Sequence, residues 1–205
     1  MSAYPPPPWH MHGDMLCVPY AVDRAVLRLP FPTIDRLGRT AGLLAYVRYA
    51  EPSPLTYDEL IWMPSVVRAG KRVGQYVEAM FVNDTITLRA GRELWALPKT
   101  LADFERVGDR IEIDGDASMT LRYRKPRWRG PRIRGSMSTL QDDGARRIRF
   151  SARWQAHVTP CMAKVERYAG AFSGFPGAGG WRPAFWMSDF ASVMAAPKSL
   201  DSLDP

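Results

Sequence analysis

Cysteine is scarce: Cys17 and Cys161 are the only two in 205 residues. Two thiols without metal-ligand spacing supply neither a disulfide framework nor a redox pair, so the fold must rest on an apolar core. Long apolar runs are also missing. Arg, Asp or Pro interrupts each one before the roughly 18 residues a membrane-spanning helix needs, which argues against an integral membrane protein. The opening MSAYPPPPWHMHGD has neither the basic start nor the apolar stretch of a secretory signal, and a cytoplasmic location is the default expectation. Histidine is sparse. His10 and His12 could share one side of an extended arm, and His157 and Cys161 would share a helical face, but Thr159 and Pro160 oppose a helix there and no third ligand presents itself. No metal site is expected. No G-x-S-x-G occurs, so a serine nucleophile on that pattern is excluded.

Lysine is the informative shortage. Of 28 basic residues only Lys71, Lys99, Lys125, Lys164 and Lys198 are lysines, although the net charge is +7. Arginine gathers in RYRKPRWRGPRIRG (122–135) and RRIRFSARW (146–154), interleaved with Tyr123, Trp128 and Trp154. Such text fits a solvated edge strand, an anion-binding rim or a nucleic-acid face; broken by Pro126 and Pro131, it fits the edge strand best and nucleic acid least.

Apart from the YPPPPW lead-in, short apolar segments alternate with turn residues: MLCVPYAV, GLLAYVRYA, VGQYVEAMFV, DTITLRAG, RIEIDGDA, MTLRYR and RIRFSARW. Most read as strands, and their succession favours an antiparallel sheet or barrel over βαβ units. The expectation is a mainly β chain with minor α: an extended Pro-rich arm over 1–14 and one antiparallel β-barrel-like domain over 15–200. Short helices are predicted at 33–39 and at 185–196, the latter starting near Ser188 or Asp189 and stopping before Pro197. GFPGAGG (174–180) reads as a loop without a phosphate-binding context. Trp181, Phe185, Trp186 and Phe190 suit either a core or an assembly surface.

Lys99 has an apolar address. Leu94, Trp95, Ala96 and Leu97 precede it, Pro98 fixes the chain, and Leu101, Ala102 and Phe104 follow. Desolvation disfavours the charged ammonium, so a lysine held there becomes available as a nucleophile towards a carbonyl carbon; alternatively, its stem covers apolar surface while its head reaches water. Tyr57, Trp62, Tyr76, Met80, Trp95 and Leu97 are candidates for lining an apolar cavity or for ordinary packing. Arg92, if on a strand with Glu93, is a candidate for touching a substrate or for anchoring the backbone.

The words GRELWALPKTLADF resemble the lysine-bearing segment of the acetoacetate decarboxylase superfamily, in which Gly-Arg-Glu is followed within a few residues by Pro-Lys. PPPPW, PLTYDEL (54–60) and VGQYVEAMFVNDTITLRAG fall in the family's order, so the likeness covers about residues 1–110. The resemblance implies that Lys99 forms a Schiff base with a keto acid and that Glu59 assists proton transfer. The family is itself the usual illustration of a lysine activated by desolvation or a neighbouring cation. It further implies a small keto-acid or carbonyl substrate, no cofactor and a homo-oligomer. Decarboxylation of acetoacetate or a related β-keto acid is the leading expectation. Aldolase-dehydratase chemistry on the same lysine, or non-catalytic binding of an apolar carbonyl compound, are the alternatives. Three departures stand out: Thr100 replaces a second lysine, Leu44 falls at or near a second glutamate, and Gly13 and Asp14 fall where an arginine is expected.

Overall fold

In the computed structural model, residues 4–170 and 172–200 are described; residues 1–3 of the expected arm lie outside the described residues. Residues 9–14 of that arm already belong to the sheet, because β1 (Trp9–Asp23) begins at a tryptophan that is 1% exposed. β2 (Arg39–Tyr49), β3 (Asp58–Met63), β4 (Ser65–Ala69), β5 (Arg72–Tyr76) and β6 (Ala79–Val82) follow. After the single α-helix among the described residues, α1 (Thr85–Trp95), come β7 (Lys99–Val107), β8 (Arg110–Gly115) and β9 (Ser118–Arg124). β10 (Arg132–Asp142), β11 (Arg147–Ala169), β12 (Arg182–Met194) and the short β13 (Lys198–Ser199) complete the order.

Hydrogen bonding links β12, β1, β2, β3, β6, β7, β8, β9 and β11 in sequence, and β11 pairs back to β12. The expected barrel-like, mainly antiparallel fold is therefore present, as a ring from which β10, β5 and β4 extend. Two cores use opposite faces of the shared strands. Leu16, Val18, Leu44, Tyr46, Leu60 and Trp62 pack inside the ring, whereas Ala45, Val47, Ile61, Met63, Met80 and Trp95 belong to a second core on the other face. Burial on both sides explains why GLLAYV and ELIWM carry no polar alternation.

The secondary-structure expectations fail where that two-sided burial, or β-branched residues, mislead. DTITLRAG is helical, not a strand: Thr85, Ile86 and Thr87 favour strands, but Asp84 accepts a 2.7 Å hydrogen bond from the Thr87 N–H and caps the helix. Thr87, Ala90, Gly91 and Trp95 form its buried face. The predicted helix at 185–196 is instead β12, whose apolar residues serve both faces and so imitate a buried helix. The predicted helix at 33–39 is a bridge and a tight turn, with Leu37 and Gly38 at positive φ. Among the described residues, no helix is long and apolar enough to cross a membrane.

Trp95 is fully buried, edge-on to Trp9 at 4.9 Å, and its indole N–H donates to the Ala195 carbonyl at 3.0 Å. Trp95→Ala should lower the unfolding free energy by about 3–5 kcal/mol in chemical denaturation; a loss below about 1 kcal/mol would show that this core is not closely packed.

Candidate active site

Lys99 is delivered by the one feature that breaks the antiparallel rule around it. β6 and β7 are parallel, with Met80 opposite Lys99, so the chain must cross over between them, and α1 is the crossover. At its end Ala96 adopts a left-handed conformation and Leu97 N–H donates to the Gly91 carbonyl, which turns Pro98 and Lys99 back along the helix. The three residues of the Gly-Arg-Glu run then have separate tasks. A Cβ at Gly91 would lie 2.5 Å and 2.6 Å from Cδ and Cε of Lys99, so only glycine lets the lysine stem pass over the helix. Arg92 Nε donates to the Lys99 carbonyl at 2.7 Å. Glu93 accepts from the Tyr4 hydroxyl and ties the arm to the helix.

The ammonium end does not snorkel. Lys99 is 3% exposed, and Nζ lies 2.8 Å from Glu59 Oε2 and 2.8 Å from Thr87 Oγ1, with the Tyr57 hydroxyl at 3.5 Å. Tyr57, just before β3, and Glu59 point to the same side by the two-residue period of extended chain, while Asp58 turns away to accept from Tyr46. Tyr49 donates to Glu59 Oε1 at 3.3 Å, and its ring lies against that of Tyr57 at 4.7 Å, tilted by 42°. Burial first, then the Glu59 charge, hold both the Tyr49 and Tyr57 phenols well above their usual value, so both are hydroxyl donors near neutrality.

This cluster forms one wall of a cavity of about 340 Å³ lined from β1, β2, β3, β6, β7, β10, β11 and β12. Of the residues expected to line it, Tyr57, Met80 and Leu97 do so, beside Lys99 and Glu59. Trp95, Tyr76 and Arg92 do not. Trp95 fills the second core, Tyr76 packs towards Phe31 at 6.2 Å, and Arg92 is solvent-exposed on α1 as a backbone anchor; sequence adjacency to Lys99 does not fix which face a residue takes. Trp62 belongs to the ring interior. Thr87 and Tyr49 were missed. Thr87 stands four residues before Gly91, and that helical spacing would have exposed it had the segment been read as a helix.

Two departures gain a physical setting. Leu44 faces the ring core, and the cavity-facing residues of β2 are Leu43, Ala45 and Tyr49. At Gly13 the register of β1 shifts, and a Cβ would stand 1.9 Å from the Arg48 carbonyl oxygen, so no longer side chain fits this backbone. Among the described residues, no group of three His, Cys, Asp or Glu could hold a metal ion. Burial pushes the Cys17 thiol on the cavity wall up to about 12, leaving it protonated and a poor nucleophile.

The arginine-rich text is put to structural use. Residues 118–124 form β9, inside the ring between β8 and β11 rather than at an edge; Arg122 approaches Asp109 and Glu166, and Tyr123 is buried against Trp186 with parallel rings 5.1 Å apart. Trp186 and Phe190, offered above for core or assembly, are both core residues, whereas Phe185 is exposed.

Comparison with known proteins bears on the family and the fold. The acetoacetate decarboxylase (ADC) family profile matches residues 1–128. An acetoacetate decarboxylase of Ralstonia nicotianae is 31% identical over 102 residues, 49% of this chain and 41% of that protein. Acetoacetate decarboxylase 2 of Mesorhizobium japonicum is 30% identical over 102 residues, 49% of this chain and 39% of the relative. The matched segment thus spans about two fifths of these relatives. Among solved structures, an acetoacetate decarboxylase from Legionella pneumophila superposes with a TM-score of 0.61 at 14% identity, covering 98% of this chain and 90% of the other. The enduracididine biosynthesis enzyme MppR complexed with pyruvate gives 0.58 at 11% identity, covering 98% and 93%. At such identities the superpositions speak for the fold.

Two measurements check the site. Lys99→Met leaves a buried carboxylate unpaired and should cost about 3–5 kcal/mol, most of it regained in Lys99→Met/Glu59→Leu; equal stability of both variants would show that the pair is not buried as described. The raised phenols bind their protons more tightly folded than unfolded. The stability they contribute is complete below the unfolded tyrosine value of about 10 and is lost as pH rises from there through the folded values. Urea midpoints should therefore fall between about pH 9 and about pH 11, less steeply in Tyr49→Phe/Tyr57→Phe; an unchanged slope would contradict the assignment.

Proposed function

The chain belongs to the acetoacetate decarboxylase family, and on that premise we propose that it is a carbon–carbon lyase in which Lys99 captures a carbonyl substrate as an imine. The observation that carries this reading is a lysine, buried to 3% exposure, in 2.8 Å contact with a carboxylate at the wall of a largely apolar cavity. Transfer of a proton from Nζ to Glu59 frees the amine lone pair to attack the carbonyl carbon. Glu59, now protonated, returns the proton to the carbinolamine hydroxyl, water departs, and a protonated imine remains on Lys99.

That cation is an electron sink. In a β-keto acid the bond to the carboxylate breaks, its electron pair moves to the imine nitrogen through an enamine, and carbon dioxide leaves. In a β-hydroxy carbonyl compound Glu59 takes the hydroxyl proton, the carbon–carbon bond breaks with the same flow of electrons to the imine nitrogen, and an aldehyde leaves. Protonation of the enamine carbon and addition of water then free the product and restore Lys99. Tyr49 and Thr87 act as positioning residues, holding Glu59 and Nζ, and no step calls on a cofactor. A homo-oligomer, as the resemblance implies, remains part of the proposal.

Borohydride reduction in the presence of acetoacetate, pyruvate and larger carbonyl compounds, followed by peptide mapping, tests the role of Lys99. A reduced adduct should map to Lys99 and vanish in Lys99→Ala that retains its fold. Turnover or an adduct persisting in the folded variant would refute the mechanism.

A further inference from the structure

The charge inventory of the cavity points away from small keto acids. Among the described residues on its wall, Lys99 and Glu59 are the only charged side chains, and they neutralise one another at 2.8 Å. No arginine, histidine or second lysine faces the space. The remaining polar side chains are hydroxyls, Thr139 and Ser192 among them, one thiol and the Trp154 indole, none of them ionic. Imine formation retains a single positive charge at Nζ, opposite Glu59. A substrate carboxylate would therefore add a buried negative charge with no partner, close to one already present, and an uncompensated buried ion is costly.

The rest of the wall is apolar and deformable. Seven of the chain's ten methionines line it, including Met11, Met63, Met80, Met137 and Met194, together with Phe150 and Phe190. Methionine is unbranched and polarizable, and lines surfaces that adapt to varied apolar shapes. A volume of about 340 Å³ falls in the range of about 300–1,000 Å³ that encloses ligands far larger than a three- or four-carbon acid.

We infer that this cavity takes an uncharged ketone or aldehyde carrying an extended apolar chain, which selects the β-hydroxy carbonyl cleavage described above over loss of carbon dioxide, with its carbonyl at Lys99 and its chain against the methionine wall. The inference rests on the imine reading of Lys99 for chemistry, but its choice of substrate class rests on the wall.

The test uses the full chain and borohydride trapping with propanone, 2-hexanone, 2-nonanone and 2-oxononanoate, alongside calorimetric binding of 2-nonanone and nonanoate. 2-Nonanone and 2-oxononanoate differ by a methyl against a carboxylate beside the same carbonyl. The keto acid has the more electrophilic carbonyl, so a preference for the ketone reports the cavity rather than intrinsic reactivity. Half-saturating concentration should fall about fourfold for each methylene the wall covers, and 2-nonanone should label Lys99 at least about tenfold more efficiently than 2-oxononanoate, a lower bound on the cost of one unpaired buried charge. Equal or better labelling by the keto acid, or no gain with chain length, would overturn the inference. If no compound is trapped, the imine reading fails, and calorimetry decides the substrate class. Binding of 2-nonanone without nonanoate sustains it, and nonanoate binding as tightly, or neither binding, overturns it.

Discussion

The contact between Lys99 and Glu59 is the constraint around which the local architecture is arranged. Two opposite charges removed from water are tolerated only with short contacts and further hydrogen bonds. Those come from three separate places: Thr87 on α1, Tyr57 just before β3, and Tyr49 at the end of β2. To bring a helix residue against a strand lysine, the chain uses a parallel pair with a helical crossover in a largely antiparallel ring. The helix in turn must be bare at Gly91, where the lysine stem passes. Each of these features has little purpose without the pair.

The site was legible in the sequence to the extent that its chemistry is local. Lys99 announces itself by its scarcity and its apolar neighbours, and Glu59 and Tyr57 point to the same side by their two-residue spacing. Met80 and Leu97 reach the cavity because one lies opposite the lysine across the parallel pair and the other precedes it by two residues. What sequence could not show is orientation. Trp95 and Arg92 stand only four and seven residues before Lys99, but a helix end separates them from the cavity. Thr87 was hidden by β-branched neighbours that imitate a strand, and most of the methionine wall comes from strands far apart in sequence. The barrel-like ring was foreseen from the rhythm of turns, whereas the second core was not, because an apolar run does not reveal how many faces it serves.

Arginine tells a similar story of context. Arg146 donates to the carbonyls of Arg92 and Glu93 at 2.9 Å and 2.7 Å while holding Asp143, bracing the carbonyl end of α1. A basic segment that reads as a surface feature thus braces the helix that carries Gly91 and Thr87. Arg147 likewise lies 4.9 Å over the Phe31 ring rather than projecting alone.

The shared strands have a consequence for how such a protein can diverge. β1, β2 and β3 present one set of residues to the ring interior and the alternate set to the cavity or the second core. Inserting or deleting one residue within them would exchange the two linings, sending ring packing into the cavity and methionines into the ring. Divergence of the cavity is therefore confined to substitutions that keep the reading frame of the pleat. A methionine-rich lining suits that route: ligand shape can change by repacking flexible side chains before any backbone has to move.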